Sequence, residues 1–417
     1  MSIERSRAFK LEINAEEQIN SLSKSNTLFT CSIFLYLLIL CASSIASVDK
    51  VTSSTPIQLI TPTYPIPENL LLDIGIPTLN DGLYLSDDDD LVFPEVRYAE
   101  SIYFANQLAK MLEKSGAWGA VRVIPNDEVV TDVFIKGVIL HSDGERLSLE
   151  ISVSDISGRK WFSKKYTKVA GRLAYDRKMR SSLGDPFQNV FTQIANDMLI
   201  TREQLADENV EQLRSISELK FAEKFSPKAF SEYMKTDKKG VTRLERLPAK
   251  EDSLLQRVTK IRQRDYIYID TMQDYYDSFS QQMHFAYQDY RAATYDSVVR
   301  SRQLDRQGNK RIIAGIGSIL AGIYGRTQAE TRLASDAGSA TAAVGGFILK
   351  SGLEKKQQAA SFDESIAEMG SSLESEIAPQ VIALEDQTIT LTGTVRAQYD
   401  QWQSLMEKIY IKERGSL

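Results

Sequence analysis

The sequence predicts an α+β protein: a small α/β sheet domain, then a long-helix bundle carrying a Gly/Ala-rich helical hairpin. Three observations predict it. Leu147, Leu149, Ile151 and Val153 alternate with Ser148, Glu150, Ser152 and Ser154, the period of a strand with one dry face. Residues 250–307 contain neither Gly nor Pro and repeat apolar side chains every three or four positions, the period of a long helix. Residues 312–349 hold two apolar runs, IIAGIGSILAGIYG and AGSATAAVGGFIL, with small residues four apart. The implied division is 1–46 (signal, lipoprotein or anchor segment), 47–68 (tether), 69–205 (α/β domain), 206–308 (long-helix region), 309–352 (Gly/Ala-rich helical pair) and 353–417 (C-terminal helices with a short strand).

A chain of 417 residues has room for two or three domains. Its net charge of −6, with 25% charged residues, gives no sign of nucleic-acid binding. Both cysteines, Cys31 and Cys41, fall in one apolar segment, so the body has no disulfide, thiolate nucleophile or cysteine metal site.

That segment, residues 27–46, reads TLFTCSIFLYLLILCASSIA and is about long enough to cross a bilayer as a helix. It resembles a bacterial lipoprotein signal, with Leu38-Ile39-Leu40 before Cys41 and Ala42-Ser43-Ser44 after it. Leu40 stands where such signals usually have Gly, Ala or Ser. The resemblance implies lipidation of Cys41. Two other readings stay open: a signal peptide cut after Ala46, or an uncleaved anchor behind the polar lead of residues 1–26. All three put the body outside the cytoplasm, and the expectation is the periplasmic face of the bacterial cell envelope, membrane-anchored, at the outer membrane by preference. Residues 47–68 are rich in Ser, Thr and Pro and read as an extended tether.

Within 69–205 the expected order is strand, helix, strand, three-strand meander, helix. The first strand is expected in LLLDIGIPTL, residues 70–79. Pro94 opens a helix through Tyr98, Ile102, Ala105, Leu108 and Leu112, which Gly116 suits as a cap. Residues 120–124 form the second strand. Strand 133–140 turns at Asp143-Gly144, and Ser157-Gly158 turns into strand 160–169. Asp185-Pro186 then starts a helix. With Thr131-Asp132-Val133-Phe134-Ile135-Lys136-Gly137, the paired hairpins and DPFQNVFTQIANDML in view, the domain resembles the α/β module at the amino terminus of TolB and in CsgG-like envelope proteins. The resemblance implies that fold and no catalytic residue. CsgG-like proteins are lipoprotein secretion channels, and a shared fold does not transfer that role.

Residues 159–180 hold Arg159, Lys160, Lys164, Lys165, Lys168, Arg172, Arg177, Lys178 and Arg180 against one acid, Asp176. Strict alternation puts Lys160, Lys164 and Lys168 on one face with Phe162 and Tyr166. This is either an outward sheet face with snorkelling lysines or a surface for an acidic envelope partner or anionic headgroups. Outside the cytoplasm nucleic acid is not expected.

In the second half, Leu254, Val258, Ile261, Tyr268, Met272, Tyr275, Phe279, Met283, Ala286, Tyr290 and Ala293 form a seam close to a coiled coil, with Asp265 its one polar interruption. Asp270, Asp274 and Asp277 read as a solvated row, and His284 as structural. Ala314, Ser318 and Gly322 form one strip of small residues, and Gly338, Ala342 and Gly346 form a second. This glycine-zipper pattern lets helix backbones approach, which points to a homo-oligomer. Runs of 14 and 13 residues are short for spanning a bilayer unaided. Phe362, Ile366, Met369, Leu373 and Ile377 predict another helix up to Pro379, then a strand over 387–395 and a helix over 397–411.

The sequence has no GxSxG elbow, Walker loop, HExxH, CxxC or EF-hand pattern, and its only histidines are His141 and His284. It predicts no cofactor and no metal. The expectation is a non-catalytic envelope lipoprotein that self-associates or binds a partner. The alternatives are a subunit of an oligomeric outer-membrane pore or secretion channel and, further off, a hydrolase built on paired carboxylates.

Overall fold

The structure, a computed structural model, describes residues 56–85, 94–175, 185–249, 251–306, 380–383 and 388–415. Cys41 and its apolar segment, the acidic run 87–90, Arg177, Lys178 and Arg180 lie outside them, as does the helix expected over 362–377. Both small-residue strips also lie outside the described residues: Ala314, Ser318 and Gly322 of the first, and Gly338, Ala342 and Gly346 of the second.

The fold is α+β. A mixed five-stranded sheet has the order β2-β1-β3-β4-β5, formed by β1 (Ile74–Pro77), β2 (Val121–Ile124), β3 (Val133–Ser142), β4 (Arg146–Asp155) and β5 (Lys160–Val169). β1 pairs in parallel with β2 and β3, and β3, β4 and β5 form an antiparallel meander. Helix α1 (Pro94–Ser115) makes the crossover from β1 to β2 that a parallel pair requires. Its Pro94 supplies a preset φ at the first turn, and Gly116, at φ 65°, ends it. The expected strand over 70–79 is shorter than read. Leu70 belongs to a 3-10 turn, and Pro77 has no N–H to continue the ladder.

Helix α2 (Gln188–Glu203) packs beside α1 and β5. It starts two residues after Pro186, because the Asp185 carboxylate accepts the Phe187 N–H (2.7 Å) and its carbonyl accepts that of Gln188 (3.1 Å). The second half of the expected tether lies on α2. Asn189 accepts the Ile57 N–H and Asn196 that of Ile60, both at 2.8 Å, while the Asn196 amide donates to the Gln58 carbonyl. These asparagines are seven apart and so share a helix face.

The charged stretch after 205 forms α3 (Asp207–Phe225), a one-turn α4 (Pro227–Phe230) and a small hairpin of β6 (Met234–Thr236) and β7 (Thr242–Leu244). Helix α5 (Ser253–Arg306) then runs along the edge of the sheet. Gln273 on α5 completes the β2 edge: its side-chain amide accepts the Val123 N–H and donates to the Val123 carbonyl, both at 2.9 Å. Arg122 on β2 donates to Asp270 at 2.6 Å and lies over the Tyr266 ring. Asp277 accepts from Asn106 and pairs with Lys110. The supposed solvated row is therefore partly a docking row, with Asp270 and Asp277 both engaged. Strands β8 (Gln380–Ala383) and β9 (Thr388–Leu391) pair antiparallel, and α6 (Val395–Gly415) packs on α5.

Asp265 explains its interruption of the seam. It is buried, and it accepts the Trp402 indole N–H at 3.0 Å and the Gln403 amide at 2.8 Å, both from α6. Trp402 stacks on Tyr268 at 4.7 Å beside it. Burial pushes the Asp265 carboxyl up to about 6, against the opposing pull of Trp402, Lys224, Gln403 and Arg262. The ionised form is thus disfavoured in the folded chain. The stability associated with this group is full below pH 3.8 and is lost as pH rises through about 6. Asp265→Asn keeps an acceptor for Trp402 and removes the charge. Urea titration should show it roughly 1–3 kcal/mol more stable than wild type at pH 8, with the gap closing near pH 4. A variant less stable than wild type at pH 8 contradicts this account.

Candidate functional site

The basic residues of β5 divide between the two faces of the sheet. Lys168, Tyr166, Lys164 and Phe162 stand opposite Leu147, Leu149, Ile151 and Val153, on the face that α2 covers. Lys164 there pairs with Asp197 of α2 at 2.6 Å, and the Tyr166 hydroxyl donates to the same carboxylate at 2.7 Å. Lys165 stands opposite Glu150 on the other face. A bulge at Trp161 then shifts the register, so Lys160 faces Ser154. The expected shared face of Lys160, Lys164 and Lys168 is therefore corrected: Lys160 departs from it, because one extra residue reverses the alternation. Arg159 lies at the turn that starts β5, and Arg172 in the exposed turn after it ends.

A second bulge, at Leu140 in β3, turns Ser142 toward α1 and α5. The Ser142 hydroxyl donates to Glu100 at 2.6 Å, and the Tyr287 hydroxyl donates to the same oxygen. Arg97 stands 3.7 Å from the other Glu100 oxygen. Arg291 of α5, 1% exposed, lies over the rings of Tyr287 (4.1 Å) and Phe187 (4.3 Å), with the Asp185 carboxylate 3.9 Å away. Gln288 donates to Asp185 at 2.5 Å, and the Tyr103 hydroxyl meets His284 at 2.8 Å. Burial alone would lower the Arg291 pKa, but Tyr287, Asp185, Tyr175 and Glu100 outweigh it, so the guanidinium stays charged. Burial and Glu100 hold the Tyr287 hydroxyl protonated. Two cations, Arg97 and Arg291, thus balance two anions, Glu100 and Asp185, where α5 crosses the end of the sheet. Sequence reading missed this set. The signal that could have found it is the position of Arg291, one residue past the seam residue Tyr290 and one helical turn after Tyr287.

That same end carries the tips of several elements. The Asp143-Gly144 turn presses on α5, where a Cβ at Gly144 would meet the Arg291 carbonyl oxygen at 2.5 Å and the Tyr295 Cα at 2.9 Å. The Tyr175 hydroxyl donates to the Gly144 carbonyl, and its ring lies 5.3 Å from Tyr295. Asn189, which holds Ile57, is in the first turn of α2, four residues after Asp185.

At the opposite end two adjoining clefts, about 720 and 290 Å³, open between α3 and α5. The smaller is lined by Asp73, Asp132, Arg214, Arg262 and Tyr266. Their charged groups are spent within the fold. Asp132 accepts the Asp73 N–H (2.9 Å), Arg262 donates to Ser217 and Tyr266, and Arg214 donates to the Glu68 and Leu71 carbonyls. Burial raises the Asp132 pKa. The Asp of the 131–137 wording therefore joins β1 to β3.

No protein-family model matches the chain, and no curated protein matches it. A solved structure aligned with it is that of the hypothetical protein CT253 from Chlamydia trachomatis. The identity is 9%, the alignment covers 34% of this chain and 98% of that one, and the TM-score is 0.21. A score so low carries no argument about this protein.

Gly144 tests the seat of α5 on the sheet. Gly144→Ala should cost about 1–3 kcal/mol through the close approach to Arg291 and Tyr295. Gly171→Ala, with nothing within 4 Å of its added Cβ, should be close to neutral. Equal melting temperatures for both variants would show that the turn and the helix are not in contact.

Proposed function

We propose that the protein is a non-catalytic component of the bacterial cell envelope, held to a membrane by its N-terminal lipid or anchor and self-associating through residues 312–349. Its N-terminal domain is then an α/β module of the TolB and CsgG-like kind, and its second half is a long-helix bundle with a Gly/Ala-rich hairpin. The contacts between copies run along Ala314, Ser318 and Gly322 and along Gly338, Ala342 and Gly346. The observation that supports this reading is the buried set around Arg291. It fixes α5 to the sheet 15 residues before that helix reaches Arg306, and the glycine-zipper strips follow soon after in the chain. A subunit of an oligomeric pore is the second reading, favoured by the apolar character of both runs.

Gly322→Leu and Gly346→Leu place bulk where backbones are to meet, and overpacking of this kind costs about 1–3 kcal/mol. Mass measurement in mild detergent should show each variant in smaller species than wild type. If both keep the wild-type mass, the strips are not contact surfaces and both readings lose their basis. Cys41→Ser should release the body or leave an unprocessed precursor, while a wild-type protein retaining residues 1–40 excludes lipidation. Ion leakage from liposomes, lost on deleting 312–349, would decide for the pore.

A further inference from the structure

We propose that the end of the body where β5 terminates lies against the lipid bilayer. This rests on the membrane attachment proposed above and adds which surface faces the membrane.

The first support is where the chain leaves the described residues. It enters at Pro56, and Ile57 is pinned to Asn189 in the first turn of α2. That turn follows Asp185, which binds Gln288 and Arg291 of α5. Helix α5 continues past Tyr295, beside Tyr175 and the Asp143-Gly144 turn, and its last described residue is Arg306. The routes toward residues 27–46 and toward residues 312–349, the segments given to attachment and association above, therefore start from the same end.

The second support is the surface there. Leu173 is 67% exposed in the turn after β5, next to the exposed Arg172. Tyr84 (71%) and Leu85 (47%) are exposed in the turn that follows Gly82, which itself sits against the Ile139 carbonyl in the upper half of β3. Large apolar side chains beside a cation suit the boundary between headgroups and acyl chains. The acidic run 87–90 follows Leu85 in the sequence, so the inferred partner is the bilayer boundary rather than anionic charge alone.

At the other end the β6–β7 hairpin packs under the β4–β5 turn, Thr242 donating its N–H to the Ser157 carbonyl at 2.7 Å. Its exposed Lys239 supplies a control position. The full-length protein is reconstituted in phosphatidylcholine–phosphatidylglycerol vesicles with p-benzoylphenylalanine replacing Leu173, Tyr84 or Lys239. After irradiation, lipid adducts should be about tenfold more abundant at 173 and 84 than at 239, because an interfacial surface reaches only ~5–10 Å into the boundary. Vesicle-bound protein with equal adducts at all three positions, or with adducts at 239 alone, overturns the orientation and leaves the attachment standing. Protein that stays in the supernatant overturns both.

Discussion

Arg291 is the interaction on which the arrangement depends. A guanidinium withdrawn from water is stable only where carboxylates, hydroxyls and ring faces replace its hydration. Here the replacements come from four separate parts of the chain: Glu100 of α1, Ser142 of β3, Asp185 and Phe187 before α2, and Tyr287 of α5 itself. Each part must be in place for the charge to be buried at tolerable cost. The set therefore couples the sheet, both of its covering helices and the long helix at one point. Removing one member of such a set leaves the others buried and unpaired, which costs about 3–5 kcal/mol.

The remaining contacts of α5 serve the same seat at other levels. Gln273 takes the place of a neighbouring strand at the β2 edge, so that edge offers less unpaired backbone to another chain. Asp265 receives α6. The two bulges set which groups meet these helices: the one at Leu140 brings Ser142 to Glu100, and the one at Trp161 turns Lys160 away from the face that Lys164 and Lys168 share. An exposed basic strand at the far edge also discourages pairing with another sheet. Its lysines thus have a structural role whatever else they bind.

Much of the fold was legible in the sequence. Strand β5, α1 from Pro94, the hairpin at Asp143-Gly144 and the long helix follow from period and punctuation, which are local properties. The bulges were not legible, because one inserted residue leaves composition unchanged while reversing every later side chain. Helix α3 was missed because its buried Val210, Leu213, Ile216 and Leu219 recur at threes among charged residues. The docking of residues 56–67 rests on two asparagines some 130 positions away, a pairing no local pattern reports. The buried set around Arg291 was hidden by the general rule that charged side chains on amphipathic helices face water. Of the candidate site, Cys41 and the six small residues Ala314, Ser318, Gly322, Gly338, Ala342 and Gly346 lie outside the described structure; the assignment of the six rests on spacing and residue size, and that of Cys41 on the apolar run before it and the small residues after it.

Hydrogen exchange on an Arg291→Met variant tests the account at its centre. Without the guanidinium, the amides of α5 beyond about Ser280 should lose protection, together with those of the second turns of α1 and α2. The stretch from Ser253 to Gln273, held by α3, α6 and β2, should keep its protection. Uniform exchange along the whole of α5, or a variant indistinguishable from wild type, would show that Arg291 does not seat this helix on the sheet.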